Sequence, residues 1–351
     1  MPKPRSSLRL VDVAARAGVS LATASRALTG RDGVSEQLAA HVRQVASELG
    51  YVANMHARTL AGGPTSTVGL IVHEIGDPYF SEIASGVLRL AGSQDRMVQI
   101  CHSGRDPEIE LRQIRMLIAH RVGVIIVAGS GYTDPAAQAG SRAELAAFQE
   151  TGGRVAVIGR HHVSADAVLP DNEAGGRAVA EHLLSLGHRR IAIAAGPEGL
   201  TTVTDRLAGI ASALGRLGLS LTDLPVVQTD FTGNGGRLAA EQILRDHPRT
   251  TAIIALNDAM AIGVLSALRA RRVRVPEQIS VAGFDDVSVA ADLSPGLTTV
   301  RLPMAQMGEL ALELALKPSL SRPRRKWTGH ELVVRDSTGP VPAAADRPGS
   351  G

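Results

Sequence analysis

Apolar positions change their spacing once along the chain, and each spacing predicts a different kind of element. Between residues 9 and 50 they recur at helical intervals with no strand-like run, which predicts helices over 11–17, 20–29 and 35–49. The boundary residues agree: Gly18 stands where the first helix needs a left-handed exit, and Ser20 and Ser35 can cap the next two. Leu38, Val42, Val45 and Leu49 then form one apolar stripe. From residue 68 onward short, continuous apolar runs take over, at 68–72, 122–127, 155–158, 191–194, 252–255 and 279–282. They read as buried parallel strands. Amphipathic stretches alternate with them at 80–90, 109–120, 173–186, 206–217, 236–245 and 260–270. Repeated β-α-β of this kind predicts two doubly wound parallel-sheet subdomains, with ligand chemistry outside the carboxyl ends of the strands.

The formal charge of +3 gains meaning only when divided along the chain. Residues 1–63 carry eight Lys or Arg against four acids, an excess of +4, so the remainder is slightly acidic. That asymmetry directs phosphate contact to the first segment. The N-terminus holds no apolar stretch suited to a signal peptide, and no run reaches the roughly 18 apolar residues of a membrane span. A cytoplasmic protein is expected. The single cysteine, Cys101, sits in an apolar stretch and reads as a buried structural thiol, which excludes thiolate metal cages.

The segment from Arg9 to Thr29 has the spacing of a helix-turn-helix. Val13, Ala14 and Ala17 supply small contacts for two steeply crossing helices, Gly18 relieves the turn, and Val19 plugs the junction. The exposed face of the helix that follows is then free to enter a major groove about 12 Å wide. An ordinary helical hairpin would share some of these features.

The residues Val11-Asp-Val-Ala-Ala-Arg-Ala-Gly-Val-Ser-Leu-Ala-Thr-Ala-Ser-Arg-Ala-Leu28, followed by Gly50-Tyr-Val-Ala-Asn-Met-His-Ala-Arg-Thr-Leu60, resemble the headpiece and hinge of the LacI/GalR family of bacterial repressors. The resemblance runs on to Leu332-Val-Val-Arg-Asp-Ser-Thr338 and so covers nearly the whole chain. It implies an all-α helix-turn-helix headpiece (1–52), a hinge helix and linker (53–66), and an effector-binding, dimerising core (67–339) like a periplasmic binding protein. A Pro/Ala/Gly-rich tail (340–351) is expected to be disordered. The resemblance further implies that Leu21, Ala22 and Arg26 face base edges and that Ser20, Thr23 and Ser25 lie near phosphates. Asn54, Arg58 and Leu60 would belong to a hinge helix in the minor groove, with Leu60 wedged into a base step. Physically, Arg26 can bridge O6 and N7 of guanine, whereas Leu21 and Ala22 offer apolar contact only. Operator deformability must supply part of the discrimination.

In the core, Gly129-Ser-Gly131 and Gly233-Asn-Gly-Gly236 do not complete a dinucleotide fingerprint, and Lys3, Lys317 and Lys326 are the only lysines, so a P-loop is excluded. No nucleophile elbow or zinc-protease motif occurs, and neither metal nor cofactor is expected. Polar residues at strand ends remain: Asp77, Phe80, Arg160, Asp171, Arg206, Asn257 and Asp285, with Phe231 as a second ring. Paired acids and arginines suit vicinal hydroxyls and flat rings cover the apolar face of a pyranose, so a sugar or sugar derivative is the expected effector. The family pattern usually has asparagine where Asp77 stands; a carboxylate there lacks a donor and weakly favours a polyol over an anionic ligand. The expected protein is a homodimeric repressor reading a pseudo-palindromic duplex. A sugar receptor of periplasmic type without DNA binding is the alternative, and an enzyme would need a catalytic constellation not found here.

Overall fold

The computed structural model describes residues 8–29, 32–51, 67–318 and 320–341, and the chain divides into two units between Thr65 and Ser66. Helices α1 (Leu10–Arg16), α2 (Leu21–Thr29) and α3 (Glu36–Leu49) build the first. Their core is Val13, Ala14, Ala17, Ala24, Ala27, Ala39, Val42, Val45 and Ala46. Most of these are alanines, so short helices can approach closely although each residue buries little apolar area. Gly18, at φ +67°, supplies the left-handed turn between α1 and α2. Asp12 accepts from the Arg9 N–H at 2.8 Å and so caps α1.

The second unit has two lobes. In the first lobe, β1 (Thr67–Val72), β2 (Met97–His102), β3 (Val124–Ala128), β4 (Arg154–Ile158), β5 (Asp166–Pro170) and β11 (Arg325–Thr328) form one parallel sheet in the order β11-β5-β4-β3-β1-β2. Its helices are α4 (Pro78–Gly92), α5 (Pro107–Ala119), α6 (Ala139–Glu150) and α11 (Met304–Leu316). In the second lobe, β6 (Ile191–Ala195), β7 (Val226–Gln228), β8 (Ala252–Ala255) and β9 (Ser280–Ala282) form a parallel sheet ordered β7-β6-β8-β9. Around it lie α7 (Asn172–Ser185), α8 (Thr201–Gly215), α9 (Gly233–Asp246) and α10 (Asp258–Ala270). Central strands such as β3 are buried on both faces: Val124 and Ile126 join one apolar cluster, Ile125 and Val127 another. Continuous apolar runs are the consequence of that double burial.

The chain crosses between lobes three times, after β5, between β10 (Thr299–Arg301) and α11, and between β11 and β12 (Glu331–Val333). β10 and β12 pair antiparallel beside the crossings. The hydrophobic pattern missed β2, β5, β7, β10, β11, β12, α6 and α11. β2 is a sheet edge whose Gln99 and His102 break its apolar run, and β7, β10 and β12 are too short to show a period. Cys101 is buried. The expected start of the tail needs correction: the Val341 N–H donates to the Leu186 carbonyl at 3.0 Å, so the packed chain extends past 339. Residues 342–351, and the expected hinge and linker over 53–66, lie outside the described residues.

Two features hold the first lobe in the shape that the site needs. Helices α4 and α11 touch backbone to backbone: a Cβ on Gly86 would land on the carbonyl oxygen of Ala305, and one on Gly308 on that of Ile83. At the sheet's carboxyl end, buried His73 ties three strand ends together. Its Nε2–H donates to the Ser130 carbonyl at 2.9 Å, which leaves Nδ1 to accept from the Ser103 hydroxyl at 3.0 Å. Burial, then the charge of Arg105, lowers its pKa to about 3.

Gly86→Ala is predicted to destabilise the core by about 1–3 kcal/mol, because the helices must part along their whole contact; thermal unfolding of the variant beside the parent checks this. A pH effect follows from His73. The unfolded ring takes a proton near 6.5 while the folded one refuses it until about 3. Its contribution is therefore fully present above pH 6.5 and is lost, at roughly 1.4 kcal/mol per pH unit, as pH falls towards 3. Urea unfolding at pH 7 and 4.5 should show a smaller loss for His73→Gln than for the parent.

Candidate functional site

The first candidate surface is on α2. Ser20 ends the turn and accepts the Thr23 N–H at 3.0 Å, with the two hydroxyls 2.8 Å apart. Once α2 is fixed this way, Ala24 and Ala27 point into the core and Leu21, Ala22 and Arg26 face solvent. Thr23 and Ser25 are half-buried at the margin. Leu21 is 53% exposed, a large apolar side chain that the headpiece core does not use. The helix thus presents one arginine and two apolar groups on an outward face. Asn54, Arg58 and Leu60 lie outside the described residues.

The second candidate is the cavity between the lobes, beyond the carboxyl ends of β1, β3, β8 and β9. Its walls are Phe80 from the first lobe and Phe231 from the second; His73, Asp77, Tyr79, Arg105, Ser130, Thr202, Arg206, Asn257 and Asp285 complete the lining. Arg206 and Asp285 make the floor. Both are almost fully buried, with Nη2 and Oδ1 2.8 Å apart. Arg206 also donates from Nε to Asn172 Oδ1 at 3.0 Å and from Nη1 to the Leu256 carbonyl, and lies 3.7 Å over the Phe284 ring. Burial raises the Asp285 carboxyl well above the ordinary range, and Arg206 pulls it back. Asp285 has φ +117° and Asp286 +56°, a backbone strain of the kind stored at functional sites. Asn257 caps α10 through Met260 N–H, which leaves its NH2 group as a donor. Asp77 caps α4 with one oxygen, through Tyr79 N–H at 3.1 Å.

The lobes are drawn together over this cavity. Thr133 N–H donates to the Gly199 carbonyl at 2.7 Å, Thr201 N–H to that of Gly131 at 2.9 Å, and Thr202 N–H to Ser130 Oγ at 3.0 Å. The void that remains is about 40 Å³, room for about three waters. A sugar ring needs the lobes to part or a lining side chain to swing aside.

Of the expected effector residues, the fold brings Asp77, Phe80, Arg206, Phe231, Asn257 and Asp285 together. Two expectations are corrected. Arg160 lies outside the cavity and pairs with Asp205 across the lobes, Nη2 to Oδ1 2.6 Å, because Gly159 turns the chain at φ +102° directly after β4. Asp171 stands at the first crossing, where it caps α7 through Ala174 N–H and holds His330 at 3.2 Å. Neither lines the cavity. Sequence reasoning missed His73, Tyr79, Arg105, Ser130 and Thr202. His73 and Ser130 could have been found, since each follows closely on an apolar run. Among the described residues no group of three or more His, Cys, Asp or Glu is placed to hold a metal, and no helix is long and apolar enough to cross a membrane.

Comparison with known proteins agrees with both surfaces. Residues 9–54 match the family model of bacterial regulatory proteins of the lacI family, and residues 180–338 match a periplasmic binding protein-like domain. The chain is 31% identical over 341 residues to the HTH-type transcriptional regulator DegA of Bacillus subtilis strain 168, covering 95% of this chain and 98% of that one. It is 31% identical to the ribose operon repressor of Escherichia coli K12 over 90% of this chain and 96% of that one. Among solved structures, a complex of the transcriptional regulator CelR with cellobiose aligns with a TM-score of 0.69 at 30% identity, over 94% of this chain and 99% of that one. The lac repressor dimer bound to operator and the anti-inducer ONPF aligns at 0.79 and 25% identity, over 95% and 100%. With a helix-turn-helix face on one unit and a two-lobed cavity in the other, this chain belongs to the LacI family of DNA-binding transcriptional regulators.

Proposed function

We propose that the protein is a cytoplasmic repressor that reads a pseudo-palindromic operator as a homodimer and is controlled by a small sugar or sugar derivative bound between the lobes. The observation that carries this reading is the pairing, within one chain, of an outward α2 face holding Arg26 with a cavity lined by two acids, two arginines and an aromatic ring from each lobe. Arg26 acts as the base reader, Leu21 and Ala22 make apolar contacts, and Ser20, Thr23 and Ser25 approach the phosphates. A hinge over 53–66, with Asn54, Arg58 and Leu60, joins this reader to the core, and Leu60 unstacks the central base step. Dimerisation is supported by exposed apolar side chains at one edge of the first lobe, Met97 and Ile100 on β2 and Leu88 on α4, which a second copy would cover.

The relatives named after ribose and bound to cellobiose support a sugar effector here. Asp77, Arg206, Asn257 and Asp285 hold its hydroxyls and Phe80 and Phe231 cover its ring. We read the cavity as a binding site and not a centre of turnover, in keeping with relatives that are transcriptional regulators.

Selection from random duplex DNA at near-physiological salt is predicted to recover a palindrome whose half-sites lie about one helical turn apart. Arg26→Ala should weaken binding to it by about ten- to a hundredfold and relax the preference at one base pair per half-site. Retention of DNA with no enriched sequence would refute the assignment of α2 as a reader.

A further inference from the structure

Two arginines share the cavity, and only one of them is spent. Arg206 has an acceptor for every branch of its guanidinium. Arg105 has none among the described residues: its nearest carboxylate oxygen, Asp77 Oδ2, is 4.0 Å away, beyond hydrogen-bond range. Glu74 and Asp230 also act on its charge, from farther off. The side chain is nevertheless only 17% exposed. Its guanidinium is 6.0 Å from the Phe80 centroid and 5.4 Å from that of Phe231, the two rings that line the cavity from opposite lobes.

The backbone is bent to put it there. Gly104 and Arg105 are both left-handed, each at φ +62°, and Asp106 then caps α5 through the N–H groups of Glu108 and Ile109. A side chain with a Cβ takes that conformation only at a cost, and here it carries the guanidinium from the end of β2 into the cavity. Rings and a distant carboxylate compensate a desolvated cation poorly; a carboxylate fits its planar fork with two parallel charge-assisted hydrogen bonds. A phosphate would bring a second negative charge against Asp77 and Asp285, which line the same cavity.

We propose that the effector is an acidic sugar, an aldonate or uronate, whose carboxylate takes the fork of Arg105 while Asp77, Asn257 and Arg206 hold its hydroxyls. This rests on the sugar reading above and reverses the preference for a neutral polyol drawn from Asp77. Asp77 has already spent one oxygen on its helix, and its other stands 4.0 Å from Arg105, an ion pair that leaves the guanidinium's hydrogen bonds unmade.

The test is calorimetric titration of the full-length protein with matched ligands: glucose, gluconate, glucuronate and glucose 6-phosphate, and the galactose counterparts. At least one sugar acid should bind ten- to a hundredfold more tightly than its neutral parent, the range expected for charge-assisted hydrogen bonds. Arg105→Gln should abolish that preference, the acid losing ten- to a hundredfold in affinity and the neutral parent distinctly less, and Arg105→Lys should restore part of the preference. Neutral parents binding as tightly as the acids, tightest binding of the phosphate esters, or undiminished acid binding by Arg105→Gln would each overturn the proposal and leave the sugar reading standing. Binding of no ligand in either series would overturn both. The wild-type comparison of acid with neutral parent needs no variant, so a poorly folding substitution does not weaken the test.

Discussion

Arg206 and Asp285 sit face to face with almost no access to solvent, and the second lobe is arranged around them. Burying both charges costs several kcal/mol unless every remaining donor and acceptor is satisfied. The fold meets that demand by bringing four segments to one place: α8 carries Arg206, the start of α7 gives Asn172, the end of β8 gives the Leu256 carbonyl, and the turn after β9 gives Asp285. Backbone bonds from Asp285 N–H to the Val300 carbonyl and from Leu302 N–H to that of Asp285 brace the strained turn. The pair contributes little net stability compared with a well-packed apolar substitute. What it provides is a fixed polar floor whose position relative to Phe231 and Asn257 cannot drift, which is what a binding site needs.

The crossings translate that rigid floor into a hinge. Asp171 and His330 meet where two of the three crossings run side by side, and Asp286 holds both Arg301 and Arg335 at 2.7 Å next to the other. The lobes are also held closed by direct contacts, Arg160 to Asp205 and the bonds around Thr201. A ligand that bridges Phe80, Asp77 and Arg105 of one lobe to Arg206 and Phe231 of the other acts on the same coordinate as those closing contacts. Its leverage on DNA binding is limited to its differential affinity for the lobe arrangements.

Much of this was legible in the sequence, for identifiable reasons. The helix-turn-helix showed itself because steep helix crossings demand small residues at fixed spacing, and Gly18 can exit α1 where other residues would strain. The two lobes showed themselves because strands buried on both faces become continuous apolar runs. Arg206 and Asp285 were recognisable within their local motifs. Arg160 and Asp171 were misplaced because a strand end does not reveal which way the next turn points, and the partner of Asp171 is 159 residues away in sequence. Arg105 was invisible for a different reason: it follows β2, an edge strand whose polar positions hide it from any search for apolar runs.

The central claim is that cavity and operator-reading face are coupled. The most direct measurement is the affinity of the identified effector for the full-length protein, free and saturated with the selected operator. Linkage requires operator to change effector affinity by the same factor by which effector changes operator affinity. The account predicts a difference of at least fivefold, corresponding to about 1 kcal/mol of coupling. Equal effector affinity in the two states would contradict it and leave two sites that share a chain without communicating.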